Sequence, residues 1–149
     1  MGSIQGKRAP GDQQAPAPRP HETARAQTVS YGDGRHPIIV RIWHGWTKPE
    51  DADTYQRLLL EEIFHEVGER SGEGLLGIEL LRREREGESE FVTILRFRSL
   101  EAVKRLAGED YERAFVPASA RRVLARFDER AVHYAVINRE IDADPGATP

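Results

Sequence analysis

The sequence predicts an α+β domain with the ferredoxin-like element order β-α-β-β-α-β, in which helices cover one face of an antiparallel sheet. Three observations lead to this prediction. An apolar, strand-like run at residues 38–46 precedes an amphipathic helical pattern over 52–67. Two more strand-like segments follow, separated by a short turn-forming sequence. A second helical region then leads into a last apolar strand.

The first strand is expected to lead directly into the first helix. Thr47 and Glu50 have the spacing of a capping box, and Pro49 fits the first helical turn. The residues beyond them repeat apolar side chains on one side of a helix, with charged residues on either flank. We expect this apolar arc to pack against the sheet. The arc consists of Ala52, Tyr55, Leu59, Leu60, Ile63 and Val67.

The middle of the chain predicts a β-hairpin. Residues 75–83 and 90–97 have strand-like composition, and the sequence Glu86-Gly87-Glu88-Ser89 between them favours a turn. Because this connection is short, the two strands are expected to pair with each other.

The second helical region falls into two parts. Ser99 is expected to cap a helix over residues 100–107 that ends at Gly108. A further helix starts near Pro117, and residues 131–138 form the last strand. Apolar side chains recur at helical spacing in the second part, at Val116, Ala120, Val123 and Phe127.

Composition divides the chain of 149 residues into one domain and two terminal segments. Residues 1–36 are rich in proline and glycine and contain almost no large apolar side chains, so burial could not offset the entropy of ordering them. We therefore predict a disordered N-terminal arm at 1–36, a folded domain at 37–140 and a disordered tail at 141–149.

The charge and the cysteine content of the chain argue against several classes of function. The net charge of −3 and the balanced charged residues argue against nucleic-acid binding, although RNA-recognition domains share the predicted element order. The chain has no cysteine, which excludes disulfides, thiol nucleophiles and thiolate-bound metals. No apolar run is long enough to span a membrane. We expect a cytoplasmic protein with neither a nucleic-acid nor a membrane partner.

Strand alternation predicts two different sheet faces. One face would hold apolar residues such as Ile42, Val132 and Tyr134 and would lie under the helices. The other would combine Arg41, Trp43, Glu79, Leu81 and His133, a set too apolar to remain exposed. This second face is therefore expected to meet a second copy of the chain, with Arg41 and Glu79 paired across the interface.

The first strand also carries the candidate site residues. Trp43 and Trp46 are three positions apart, so they point to opposite faces unless the strand contains a bulge at Gly45. Strand alternation places His44 on the same face as Ile42, whereas His133 belongs to the mixed face. The two histidines therefore need not act together. For each of these side chains a structural packing role is the simpler interpretation. No pattern of metal ligands is present.

Four blocks of the sequence resemble the antibiotic biosynthesis monooxygenase family of dimeric α/β barrels, and the resemblance covers about residues 37–138. The blocks are Arg41-Ile-Trp-His-Gly-Trp-Thr47, Glu90-Phe-Val-Thr93, Ala107-Gly-Glu-Asp-Tyr-Glu112, and Arg126-Phe-Asp-Glu-Arg130 followed by His133-Tyr134.

The resemblance implies a homodimer whose two sheets pack face to face into a barrel. Each monomer would enclose a cavity for a small aromatic molecule, either between its own sheet and helices or between its sheet and the partner. The family's oxygenases use no flavin or metal, because a substrate ionised to its phenolate or enolate can itself donate an electron to dioxygen. Trp43, Trp46 and Tyr134 would then provide stacking walls. His44 or His133 would be the base and Arg41 would hold the oxyanion. The alternatives are a non-catalytic dimeric binding module and a haem-binding relative.

Overall fold

The computed structural model describes residues 37–140. The predicted N-terminal arm at 1–36 and the predicted tail at 141–149 lie outside this range. No helix within the described range is long and apolar enough to cross a membrane.

The sheet has five antiparallel strands in the described range. They are β1 (Ile39–Thr47), β2 (Leu75–Arg85), β3 (Glu88–Phe97), β4 (Arg126–Phe127) and β5 (Val132–Ala135). The order across the sheet is β2-β3-β1-β4, and β5 pairs with β1 on the same side as β4. The predicted ferredoxin-like order is confirmed, with an additional short strand, β4, before the last one.

The first helix is continuous but changes its winding. It consists of α1 (Ala52–Leu58), a π-helical turn (Leu59–Ile63) and α2 (Phe64–Ser71). The second helical region contains α3 (Leu100–Ala107) and α4 (Ala118–Val123), as the sequence predicts.

The predicted capping box before the first helix is wrong. Strand β1 continues through Thr47, which pairs with Ser89, and this keeps its backbone in the sheet. The Thr47 hydroxyl is buried and has no hydrogen-bond partner among the described residues. A 3-10 turn at Pro49–Asp51 comes next, and α1 begins only at Ala52.

The core lies between the sheet and the helices. Five of the six residues of the predicted helical arc are buried there, whereas Leu60 is 55% exposed. Leu60 lies inside the π-helical turn, where the wider winding changes the direction in which successive side chains point. The arc prediction assumed uniform α-helical spacing and was wrong at this position.

The hairpin and the second cap follow the prediction closely. Strands β2 and β3 are joined by a tight turn in which Gly87 has a φ of 80°, a backbone conformation that favours glycine. The Ser99 side chain accepts a hydrogen bond from the amide of Ala102 at 3.2 Å, and Gly108, with a φ of 91°, ends α3. Phe127 lies in β4 rather than on the predicted helix.

The prediction of which sheet face lies under the helices is wrong. In the register of β1 with β3, Arg41 lies opposite Leu95 and Trp43 opposite Thr93, and Leu95 belongs to the buried core. Arg41, Trp43 and the neighbouring His133 therefore face the helices.

The uncovered face carries Ile42, Val132 and Tyr134 instead, and these apolar side chains alternate with the core positions. Glu79 and Leu81 also lie on this face, so the expected pairing of Arg41 with Glu79 does not occur. The assignment of the faces relied on apolarity alone and was wrong, because a polar side chain can lie under helices when it is hydrogen-bonded there.

Candidate functional site

An apolar cavity of about 40 Å³ lies between the helix-covered face of the sheet and the helices. Its walls come from the centre of the sheet, the buried side of the first helix, the end of α3, and α4 with the loop that leads into it. The sheet contributes Arg41, Trp43, Thr93 and Leu95, the first helix Tyr55, Leu59, Ile63, Phe64 and Val67, and the remainder is Leu106, Phe115, Val116, Pro117 and Ala120.

Arg41 is the charged group of this cavity. It lies on the central strand and is only 3% exposed. Its Nη1 donates to the carbonyl oxygen of Tyr111 at 2.5 Å, and its Nη2 donates to that of Arg113 at 3.0 Å. Burial lowers the pKa of Arg41 to about 10, so the guanidinium remains protonated at neutral pH.

His133 lies beside Arg41 and completes its contacts. Arg41 Nη1 is 3.0 Å from His133 Nε2, and because a guanidinium only donates, Nε2 must accept. The proton is therefore assigned to Nδ1, which is buried without a partner among the described residues. Burial, with the charge of Arg41 as the smaller cause, lowers the pKa of His133 to about 3. The imidazole is thus neutral at physiological pH and a weak base.

Trp43 forms a wall of the cavity. Its Nε1 donates to the carbonyl oxygen of Asp128 at 2.7 Å, and its ring centroid lies 6.0 Å from that of Phe127. A Cβ atom on Gly45 would come within 3.1 Å of the Trp43 ring. Strand β1 has no bulge at this position, so Gly45 provides space for the neighbouring indole.

The other three predicted site residues lie on the opposite face of the sheet. His44 Nδ1 is 3.0 Å from Glu90 Oε2, and the His44 ring stacks on Trp46 with centroids 5.8 Å apart. The Arg126 guanidinium covers the Trp46 ring at 3.9 Å. Tyr134 is 56% exposed. The structure therefore does not bring His44, Trp46 or Tyr134 together with Arg41 and Trp43.

Glu90 connects His44 to the β2–β3 hairpin. Its Oε1 accepts a hydrogen bond from Arg83 Nε at 2.6 Å, while its Oε2 faces His44. Arg83, and to a smaller extent His44, lowers the pKa of the Glu90 carboxyl. A fixed carboxylate on Nδ1 leaves Nε2 of His44 as the free ring nitrogen.

The helix-side wall of the cavity contains residues that the sequence did not single out as functional. Tyr55 was predicted to be buried, but nothing in the helical pattern marked it as a cavity residue. The π-helical turn Leu59–Ile63 places the first and last of its side chains against the cavity, and such turns often occur at functional sites. Phe115 belongs to a loop without a periodic pattern, so no sequence signal identified it.

Ligation of a metal ion or of haem iron would need a group of suitable side chains or a histidine that faces the cavity. Within residues 37–140, no group of three or more histidine, aspartate or glutamate side chains could hold a metal ion. In the same part of the chain, no histidine lines the cavity.

The fold and the cavity define an α+β protein with a largely apolar internal site. No family model matches the chain, and no curated protein matches it by sequence. Among solved structures it is similar to a candidate antibiotic biosynthesis monooxygenase from Bacillus cereus, with 20% identity, a TM-score of 0.46, and coverage of 71% of this chain and 99% of the other.

A second candidate antibiotic biosynthesis monooxygenase, from Chloroflexus aurantiacus, gives 17% identity and a TM-score of 0.47, covering 69% of this chain and 96% of the other. A conserved protein from Methanosarcina mazei gives 13% identity and a TM-score of 0.48, covering 66% and 92%. Two of these three proteins carry the name of the family that the sequence resembles, and the likeness concerns the fold.

Proposed function

We propose that the protein is a cofactor-independent, monooxygenase-type domain that acts on an aromatic or quinone-forming small molecule. The single observation that carries this proposal is the position of Arg41 and Trp43, a buried cationic residue and an indole that both line one apolar cavity. An aromatic wall suits a ring, and a fixed guanidinium suits a negatively charged oxygen.

The chemistry requires little from the protein. An ionised phenol or enol donates an electron to dioxygen, and the two radicals then combine at the activated carbon. For a reacting CH₂ group, as in an anthrone, loss of water gives the net change of CH₂ and O₂ to C=O and H₂O. For a hydroquinone, the same electron transfer without carbon–oxygen bond formation gives the quinone and H₂O₂. Arg41 would stabilise the oxyanion of the substrate, and the apolar walls would keep water away from the intermediates.

The cavity would have to widen before it could bind an aromatic ring. A volume of about 40 Å³ holds a few water molecules, whereas a cavity of about 150 Å³ accommodates benzene. Phe64 and Phe115 are half-buried aromatic side chains on the helix side of the lining, and the Arg70 guanidinium lies 4.9 Å from the Phe115 ring centroid. Outward rotation of these two rings would enlarge the site without disturbing the sheet.

We further propose that the protein is a homodimer joined through the uncovered sheet face. Val132, Leu81 and Tyr134 are 42%, 47% and 56% exposed on this face, beside the partly buried Ile42 and Ile94. Contiguous apolar surface of this kind marks an interaction site, and a second copy would cover it symmetrically. His44 and Trp46 would then lie at or near the dimer interface rather than in the cavity.

Oxygen consumption tests the proposed activity. The metal-free full chain should consume oxygen with hydroxylated anthrones or hydroquinones above the rate in buffer. Arg41→Met should lower this rate by about 100-fold or more, the usual effect of removing one oxyanion donor. Arg98→Met is the matched control, because Arg98 is exposed, and it should leave the rate unchanged. No uptake above buffer across the panel contradicts the proposal.

A non-catalytic small-molecule-binding module is the second candidate. It is favoured by the weak basicity of His133 and by the position of His44 on the other face, because neither histidine then serves the cavity as a base. Ligand binding without oxygen uptake would support this candidate. Haem binding is less favoured because the cavity is small, and a haemin titration without a histidine-dependent Soret shift would exclude it.

A further inference from the structure

The buried charge of Arg41 is not balanced by a carboxylate in the described part of the chain. Its partners are two backbone carbonyl oxygens and the neutral imidazole of His133, all of them uncharged. Burial without a nearby anion is also why the pKa of Arg41 is lowered. Burying an isolated cation costs free energy. An anion that reaches Arg41 from the cavity would therefore be stabilised by its charge.

The cavity also lacks a group that could deprotonate a bound ligand at neutral pH. Of the described residues that line it, only Arg41 and Tyr55 titrate. Arg41 is already protonated, and burial raises the pKa of Tyr55, which keeps that phenol neutral. His133 is bound through Nε2 to Arg41 and does not belong to the lining. A ligand that needs to be an anion must therefore be ionised before it enters.

The contacts of Arg41 leave room for such a ligand. Arg41 makes three hydrogen bonds, two through Nη1 and one through Nη2. Its remaining N–H groups are not bound by the described residues. The side chain nevertheless contributes to the cavity surface, next to Trp43 and Thr93. An oxyanion placed there would accept a charge-assisted hydrogen bond while its ring contacts the indole.

We infer that the cavity selects small aromatic monoanions, whose phenolate, enolate or carboxylate oxygen binds Arg41 and whose ring lies against Trp43. The inference rests on the proposed function for its site and names the substrate class of that site. Neutral aromatic molecules of the same shape should bind more weakly, because they leave the Arg41 charge buried and unbalanced.

Calorimetric titration of the full chain with benzoate and with benzamide tests the selection by charge. The two probes have nearly the same shape, and only benzoate is an anion at neutral pH. Benzoate should bind at least about tenfold more tightly, the ratio that corresponds to ~1.4 kcal/mol. Equal binding, tighter binding of benzamide, or binding of neither probe overturns the inference.

A spectroscopic measurement on the unmodified protein reports the ionisation state directly. The phenolate form of 4-nitrophenol absorbs visible light, so its apparent pKa should fall when the protein is added in excess. Arg41→Met should abolish this shift and the preference for benzoate, whereas Arg98→Met should retain both. An unchanged or raised pKa of 4-nitrophenol contradicts the inference, whether or not the Arg41 variant folds.

The outcome separates this inference from the oxygenase proposal. Benzoate has no carbon that the proposed chemistry oxidises, so its binding does not depend on catalysis. If benzoate binds more tightly than benzamide but no phenol causes oxygen consumption, the inference stands and the oxygenase proposal is contradicted. Oxygen uptake together with tighter binding of benzamide would do the reverse.

Discussion

At the scale of single residues, Arg41 organises the site. Its guanidinium holds two carbonyl oxygens of the loop after α3 and the imidazole of His133, and it still contributes to the cavity surface. A polar group under helices is tolerated only when most of its hydrogen bonds are formed, and these three contacts engage most of the guanidinium donors. The same contacts make His133 an acceptor for Arg41 rather than a free base.

The lowered pKa of His133 predicts a specific pH dependence of stability. Below its ordinary pKa of 6.5 the unfolded chain binds a proton at this histidine, and the folded chain does so only near pH 3. The free energy of unfolding should therefore fall on acidification, by up to ~1.4 kcal/mol per pH unit from this group. His133→Gln, which cannot titrate, should show a shallower slope in urea unfolding between pH 6 and 4.5. Identical slopes would contradict the assignment.

At the scale of elements, β1 separates the two groups of candidate residues. Its central position gives it neighbours on both sides, and its alternation sends Arg41 and Trp43 to the cavity and His44 and Trp46 to the uncovered face. The first helix covers the cavity and widens into a π-helical turn beside it. A 3-10 turn at Gly72–Gly74 follows α2 and packs against α3, with almost no space between Gly74 and Ala102.

Two glycines of this region should respond oppositely to the same substitution. A Cβ at Gly74 would lie 2.3 Å from the Cβ of Ala102 on α3, so Gly74→Ala should destabilise the protein by about 1–3 kcal/mol. Gly68 lies inside α2 with no neighbour within 4 Å of an added Cβ, and Gly68→Ala should stabilise by about 0.5–1 kcal/mol. Thermal and urea unfolding measure both. Stabilisation by Gly74→Ala would contradict the packing described for Gly74, and destabilisation by Gly68→Ala would contradict the open space described for Gly68.

At the scale of the whole molecule, the uncovered sheet face is the feature that the monomer leaves unexplained. The helices bury one side of the sheet, and the other side presents apolar side chains on β1, β2, β3 and β5. The face that the proposed dimer would bury is thus the one that the sequence assigned to the core.

A charge on the uncovered face should weaken the proposed dimer. Val132→Asp would place an unpaired carboxylate in the interface, and we expect the dissociation constant to rise about tenfold or more. Leu60→Asp is the matched control, since Leu60 is similarly exposed but lies on the helix side. Sedimentation equilibrium measures both. A monomeric wild-type protein at micromolar concentration, or equal effects of the two substitutions, would contradict the proposal.

The sequence by itself determined the element order, the hairpin, the Ser99 cap and the division of Trp43 and Trp46 between faces, because periodicity and turn chemistry are local properties. Only the tertiary structure decided which face lies under the helices. That choice depends on whether a loop distant in sequence offers carbonyl oxygens to Arg41, and on the neutral state that burial imposes on His133. Such long-range hydrogen bonds leave no periodic signal in the chain.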